Sequence, residues 1–215
     1  MSALKDMAAF IFTGDGMMYD PNTRTITTDR LILRPFELSD AIRVSELCNN
    51  YNIHKNTLNI PYPYPIESAL SWISTHWDNF SNDKSYEFAV TDRLTGELYG
   101  AIGLISNDQR HKNGEVGYWL GEGYWGNNYT AEALKAIIRF AFLEKDYHKV
   151  YGRHIASNPA SGRVMKKAGM VEEGIFREHV VKENKYEDLI CYGIIRHCLE
   201  PTVSALDLFQ ITGGD

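Results

Sequence analysis

Residues 113–134 run Asn-Gly-Glu-Val-Gly-Tyr-Trp-Leu-Gly-Glu-Gly-Tyr-Trp-Gly-Asn-Asn-Tyr-Thr-Ala-Glu-Ala-Leu: a short aromatic strand, a Gly/Asn turn and the opening of a helix. The first turn of a helix leaves amide groups unpaired and carries a partial positive charge, so it offers a seat for a phosphate. The strand delivers a carboxylate, Glu115, to the same neighbourhood. Period-two geometry sets Glu115, Gly117 and Trp119 on one face of that strand and Val116, Tyr118 and Leu120 on the other. A carboxylate within one water of a bound substrate can act as a general base. A solvated glutamate at a strand end is the plainer reading, and the residue types alone leave both open.

These groups need elements to hold them. Arg30 to Phe36 alternates as a first strand, followed by a helix over Ala41 to Cys48 capped by Ser39 or Asp40. Pro61-Tyr62-Pro63-Tyr64-Pro65 forbids regular helix and predicts an extended linker. Ala69, Leu70, Ile73, Trp77 and Phe80 then recur at three- and four-residue steps, the spacing of a second amphipathic helix. Tyr86 to Thr91 and Leu98 to Ser106 read as a hairpin turning at Thr95-Gly96, with Glu115 to Leu120 as the next strand. Tyr129 to Glu144 is the central helix and Val150 to Ala156 a strand. Asn158 and Pro159 open a further helix that stops at Gly169, and Val171 to Glu178 and Glu187 to Arg196 close the sheet. Hairpins followed by alternating strands and helices imply a mixed sheet with helices on its faces.

A chain of 215 residues with 44% hydrophobic and 23% charged content supports one domain with modest extensions. The apolar run Ala136-Ile137-Ile138 meets Arg139 at once, far short of the roughly 20 residues that span a bilayer. Lys5-Asp6, a short apolar stretch from Met7 to Phe12 and then Gly14-Asp15-Gly16 do not form a secretory signal, so the cytoplasm is the expected compartment. Cys48, Cys191 and Cys198 lack zinc-ligand spacing and the seven histidines are scattered, which predicts reduced thiols and no metal. A formal net charge of −6 argues against nucleic acid as a partner. It suits a cationic substrate, and equally a surface that is acidic for solubility alone.

Read in order, Thr28-Asp29-Arg30-Leu31-Ile32-Leu33-Arg34-Pro35, Gly117-Tyr118-Trp119-Leu120, Tyr124-Trp125-Gly126 and Asn158-Pro159-Ala160-Ser161-Gly162-Arg163-Val164-Met165-Lys166-Lys167-Ala168-Gly169-Met170 resemble the GCN5-related N-acetyltransferases. The likeness runs from about Thr27 to His197 and includes the branch that acetylates the N-terminal α-amines of ribosomal proteins. It implies an α/β (α+β) fold: a mixed, mostly antiparallel sheet flanked by helices, with acetyl-CoA at the splayed central strands. It also implies residues 26–198 as the acetyltransferase domain, 1–25 as an N-terminal arm, hairpin-like or loosely packed, and 199–215 as a tail. By the same resemblance, the backbone of Trp119 and Leu120 pairs with the pantetheine arm, and Gly126, Asn127, Asn128, Tyr129 and Thr130 hold the pyrophosphate. Asn158 contacts the cofactor or caps its helix, Ser161 stabilises the departing sulfur or simply occupies a first helical turn, and Tyr64 and Trp72 edge the acceptor cleft. Asn128 and Thr130 stand where the family prefers glycine and a small residue. Asparagine tolerates the left-handed backbone nearly as well as glycine, whereas the branched threonine either crowds a phosphate or donates a hydroxyl to it.

Three functions follow from these residues. An α-amine, with a reference pKa of about 7.7–8.0 against about 10.4 for lysine, is the easier amine for a single water-relayed glutamate to deprotonate, which favours a protein N-terminus as acceptor. A small amine such as a polyamine or an aminoglycoside-like antibiotic is the second reading, and a non-catalytic acyl-CoA-binding module the third. A second copy of the chain is admitted as a partner.

Overall fold

Alternation of apolar and polar residues decides how this chain divides its core, because each strand offers one set of side chains to either side of a single sheet. The computed structural model describes residues 17–199; residues 1–16 and 200–215, and with them most of the expected arm and tail, lie outside the described residues. Nine strands form one sheet: β1 (Met18–Asp20), β2 (Thr25–Thr27), β3 (Leu31–Arg34), β4 (Tyr86–Asp92), β5 (Leu98–Asp108), β6 (Asn113–Leu120), β7 (Lys149–Ile155), β8 (Val171–Lys182) and β9 (Lys185–Ile195). They lie in the order β1-β2-β3-β4-β5-β6-β7-β9-β8, antiparallel throughout except for the β6–β7 pair. The arm's described part is a hairpin, with Met18 opposite Thr27, and it joins the sheet where Ile26 pairs with Leu33.

One face is covered by α5 (Tyr129–Leu143) and α6 (Pro159–Lys167). Leu134, Ile137, Ile138, Phe140 and Ala141 of α5 are buried against Leu31, Leu33, Tyr86 and Phe88. Phe140 meets Tyr86 and Phe88 edge-on at 5.5 Å, and losing such a ring to alanine costs about 3–5 kcal/mol. The other face carries α1 (Ala41–Cys48) and α3 (Ile66–Ser74), whose Ala41, Val44, Ala69 and Ile73 pack on Ala89 and Leu98.

Four local expectations are corrected. The amphipathic stretch is two helices, α3 and α4 (His76–Ser81), interrupted at Thr75, whose hydroxyl bonds back to the Trp72 carbonyl at 3.0 Å. Asp40 does not cap α1, because its carboxylate is held by both terminal nitrogens of Arg34 at 2.8 Å. An unforeseen helix, α2 (Tyr51–Asn56), is capped by Asn50, whose side chain accepts from the amides of Asn52 and Ile53. Strands β8 and β9 also run longer than expected, turning at Glu183 and Asn184 with φ of 49° and 61°, the double left-handed geometry of a tight hairpin.

Candidate functional site

Parallel strands β6 and β7 pair only from Asn113 opposite Lys149 to Val116 opposite Gly152. Beyond that rung β6 continues through Gly117 to Leu120 on β5, while β7 continues through Ile155 on β9. The sheet therefore opens a slit, and a cavity of about 1200 Å³ passes along it, lined from both faces of the sheet.

On the α5/α6 side the slit is walled by Tyr118, Ser161 and Met165. Asn158 caps α6, its side-chain oxygen accepting from the Ser161 amide at 3.3 Å, and Pro159 follows at the position where its missing N–H costs nothing. The Asn158 amide group donates to the Asn56 carbonyl at 3.0 Å, so in this structure it turns to α2. The Ser161 hydroxyl meets the Tyr118 hydroxyl at 2.8 Å. Burial pushes the Tyr118 phenol far above its ordinary range, so it serves there as a neutral hydrogen-bonding group that orients the serine.

On the opposite side lie Tyr64, Trp72 and Trp119, with Trp72 and Trp119 rings 6.4 Å apart. Burial raises the Tyr64 phenol to about 12, which keeps it protonated. Glu115 lines this side, but its two oxygens are held by Arg153 Nε and Nη2 of β7, each at 2.8 Å. This hydrogen-bonded pairing pushes the Arg153 guanidinium further up, and it takes one lone pair from each carboxylate oxygen. A second carboxylate, Glu87 of β4, also lines the cavity; burial raises its pKa, partly offset by the Ser85 hydroxyl that donates to it at 2.9 Å. Neither Arg153 nor Glu87 is singled out by the sequence reading. Glu87 stands between Tyr86 and Phe88 and looks there like the solvent-facing position of an alternating strand.

At the end of the slit, the turn before α5 takes left-handed backbone at Gly126, φ 80°, and at Asn128, φ 62°. Among the described residues, the backbone amides of residues 126–131 donate no backbone hydrogen bond, and α5 has no side-chain cap. Asn128 instead accepts from Lys167 Nζ at 2.6 Å. Arg30 braces the turn from outside, donating to the Asn127 carbonyl at 3.1 Å and to Glu132, with its guanidinium over the Tyr129 ring. Gly126 and Thr130 line the main cavity, whereas Asn128 borders a smaller one of about 430 Å³ with Arg30, Lys135 and Lys167. The Leu120 carbonyl already accepts from the Trp125 indole at 2.8 Å, and Trp119 pairs with Ala101 of β5, so neither backbone stands free along the slit. Among the described residues no group of three or more His, Cys, Asp or Glu could hold a metal ion, and no helix is long and apolar enough to cross a membrane.

The chain matches the family model described as the acetyltransferase (GNAT) domain over residues 30–171. It is 31% identical over 171 residues to the uncharacterized N-acetyltransferase YnaD of Bacillus subtilis, covering 79% of this chain and 96% of the relative. The solved structure of RimL, a ribosomal L7/L12 alpha-N-protein acetyltransferase in complex with coenzyme A, superposes with a TM-score of 0.73 at 18% identity, covering 78% of this chain and 95% of that one. A spermidine N-acetyltransferase SpeG chimera from Vibrio cholerae and hSSAT superposes with a TM-score of 0.67 at 20% identity, covering 78% and 96%.

Proposed function

The chain belongs to the GNAT acetyltransferase family, whose members move an acetyl group from acetyl-CoA to an amine, and we propose that its acceptor is the α-amine of a protein N-terminus. The observation that carries this reading is the slit itself, with a hydroxyl pair on one face and carboxylates on the other. Acetyl-CoA fits the donor side: the amides around Asn128 suit its pyrophosphate, the unpaired length of β6 suits the amide-bearing pantetheine arm, and the Ser161 hydroxyl suits the thioester sulfur. The hydroxyl would act as charge grows on that sulfur, which is when a fixed donor contributes most.

Acceptor choice rests on the other face. Ile53, Leu58, Ile60, Tyr64, Trp72 and Trp119 make its lip largely apolar and aromatic. That suits the first side chains of an extended peptide, while the carboxylates Glu67, Glu87 and Glu115 on the same wall are what a polyamine, the alternative, would use. Glu115, held by Arg153, offers its remaining lone pairs to an incoming ammonium. RimL, named for α-N-protein acetylation, supports the peptide reading, and the spermidine enzyme marks the small-amine alternative.

The test has two arms. Acetyl-CoA at 100 times its dissociation constant stabilises a native state by about 2.7 kcal/mol, which raises Tm by about 5–10 °C for a chain of this size. Release of coenzyme A is then followed with alanine-, serine- and methionine-initiated peptides and with spermidine. Turnover of spermidine alone would transfer the assignment to small amines.

A further inference from the structure

We propose that Glu87 is the group that takes the proton from the acceptor amine, a role that rests on the acetyl-transfer reading above. Strand β4 turns Tyr86 and Phe88 into the core under α5 and leaves Glu87 on the face with Ala89, beneath α1 and α3. In the sheet register Glu87 stands opposite Gly103 of β5, and Gly103 stands opposite Gly117 of β6. Two glycines in a row separate this carboxylate from the slit. A Cβ at Gly103 would fall 2.4 Å from the Tyr86 carbonyl oxygen and 2.9 Å from Glu87 Cα, so the floor there admits no side chain. Strands are spaced about 4.8 Å apart, which sets the Glu87 backbone about 10 Å from β6; Glu87, Gly103, Ile105 and Gly117 border the same cavity, so an amine held there over the two glycines comes within one water of the carboxylate.

Chemistry separates the two carboxylates that the strands of this face carry into the cavity, Glu115 and Glu87. Glu115 is gripped at both oxygens by Arg153, and to accept a proton it would have to surrender part of that fork. Among the described residues Glu87 has a single side-chain partner, the Ser85 hydroxyl. Its burial raises its proton affinity, which moves a carboxylate toward the range useful to a base near neutrality. The charged and titratable groups that share the cavity wall with it are Glu67 of α3, Tyr64 of the linker, Glu115 and Tyr118 of β6, and Arg153 and His154 of β7. In the step itself an ammonium gives one proton to Glu87, directly or through one water. The freed nitrogen lone pair forms the N–C bond as the C–S bond breaks. A second nitrogen proton ends on the sulfur to give the thiol, and Glu87 returns its proton to solvent.

The experiment compares wild type with Glu87→Gln and Glu115→Gln on whichever of the peptides or spermidine the wild type acetylates, from pH 6.5 to 9.5. Glu87→Gln should lose kcat by about 10²- to 10⁴-fold at pH 7 and recover much of it at high pH, where the amine is already neutral, with the acetyl-CoA dissociation constant unchanged. Glu115→Gln should lose less than about tenfold, without that recovery. A Glu87→Gln protein within threefold of wild type, or a Glu115→Gln protein showing the larger and pH-rescued loss, would overturn the assignment. If Glu87→Gln shows no acetyl-CoA-dependent rise in Tm, Glu87→Asp decides: a tenfold or greater loss with an intact Tm supports the role, and unchanged turnover removes it. Spermidine turnover alone would correct the acceptor and leave the Glu87 comparison measurable; a wild type that acetylates no amine would overturn both.

Discussion

Asn128 lets the backbone's demand be separated from the side chain's. It sits at φ 62° and ψ 11°, a region that costs an ordinary residue about 1–2 kcal/mol and asparagine less. Asn128→Gly removes that strain, gives back about 0.4–1 kcal/mol through the freer unfolded chain, and loses the exposed Lys167 contact, worth about 0–1 kcal/mol. The contributions nearly cancel, so Tm should stay within about 3 °C of wild type. Acetyl-CoA affinity should hold or tighten, because the Lys167 ammonium is released beside the uncovered amides. Asn128→Val keeps bulk but places a branched residue where it is a genuine outlier, so the turn must shift at about 1–3 kcal/mol, or about 5- to 150-fold in affinity. Titration calorimetry of both variants with acetyl-CoA, at low and high salt, reads these effects. A loss beyond tenfold in Asn128→Gly would show that the side chain itself holds a phosphate, and normal binding by Asn128→Val would show that this turn is not the cradle.

Ser161→Ala should lower kcat by about 10- to 100-fold with little change in acetyl-CoA binding, and Tyr118→Phe should lower it less, since the phenol acts only by orienting the serine; equal rates for Ser161→Ala and wild type would return the serine to a purely helical role. His76, 6% exposed with both ring nitrogens without a hydrogen-bond partner among the described residues, is lowered to about 4 by burial. Between that value and its ordinary 6.5 the unfolded chain binds a proton that the folded chain refuses, so stability present above pH 6.5 is lost as pH falls toward 4, by at most about 3 kcal/mol. His76→Leu should flatten that decline in denaturant melts at pH 7 and pH 4.5, and an unchanged slope would assign the loss to other groups.

Elements whose cause is local were legible in the chain. The 3.6-residue pattern from Tyr129, the Asn158-Pro159 cap and the glycine after Lys167 each act within a few residues, and the corresponding helices fall where expected. The break at Thr75 was hidden because the apolar spacing of Ile73, Trp77 and Phe80 runs through it, although Trp77 is exposed. Glu183-Asn184 did not look like a hairpin turn because it lacks the usual glycine. The site's electrostatics were less readable still. Glu115 and Arg153 are 38 residues apart and meet only through the parallel register, so nothing in the sequence marks the carboxylate as shared. Glu87, between Tyr86 and Phe88, carries no sign in the sequence that a cavity lies over it.

The slit is open on both sides of the sheet, and this has a kinetic consequence. On the assignment proposed above, a thioester on the α5/α6 side and an amine on the α1/α3 side need not displace one another, so both would be resident when the acetyl group moves. Direct transfer then requires no acylated enzyme. Neither Cys48, buried at the end of α1 with its thiol pushed up to about 12, nor Cys191 borders the cavity. Initial rates varied in both substrates should give intersecting rather than parallel reciprocal lines. A bulky polypeptide acceptor could also depart outward while the spent thiol leaves by the other side, so the size of one substrate places no limit on the release of the other.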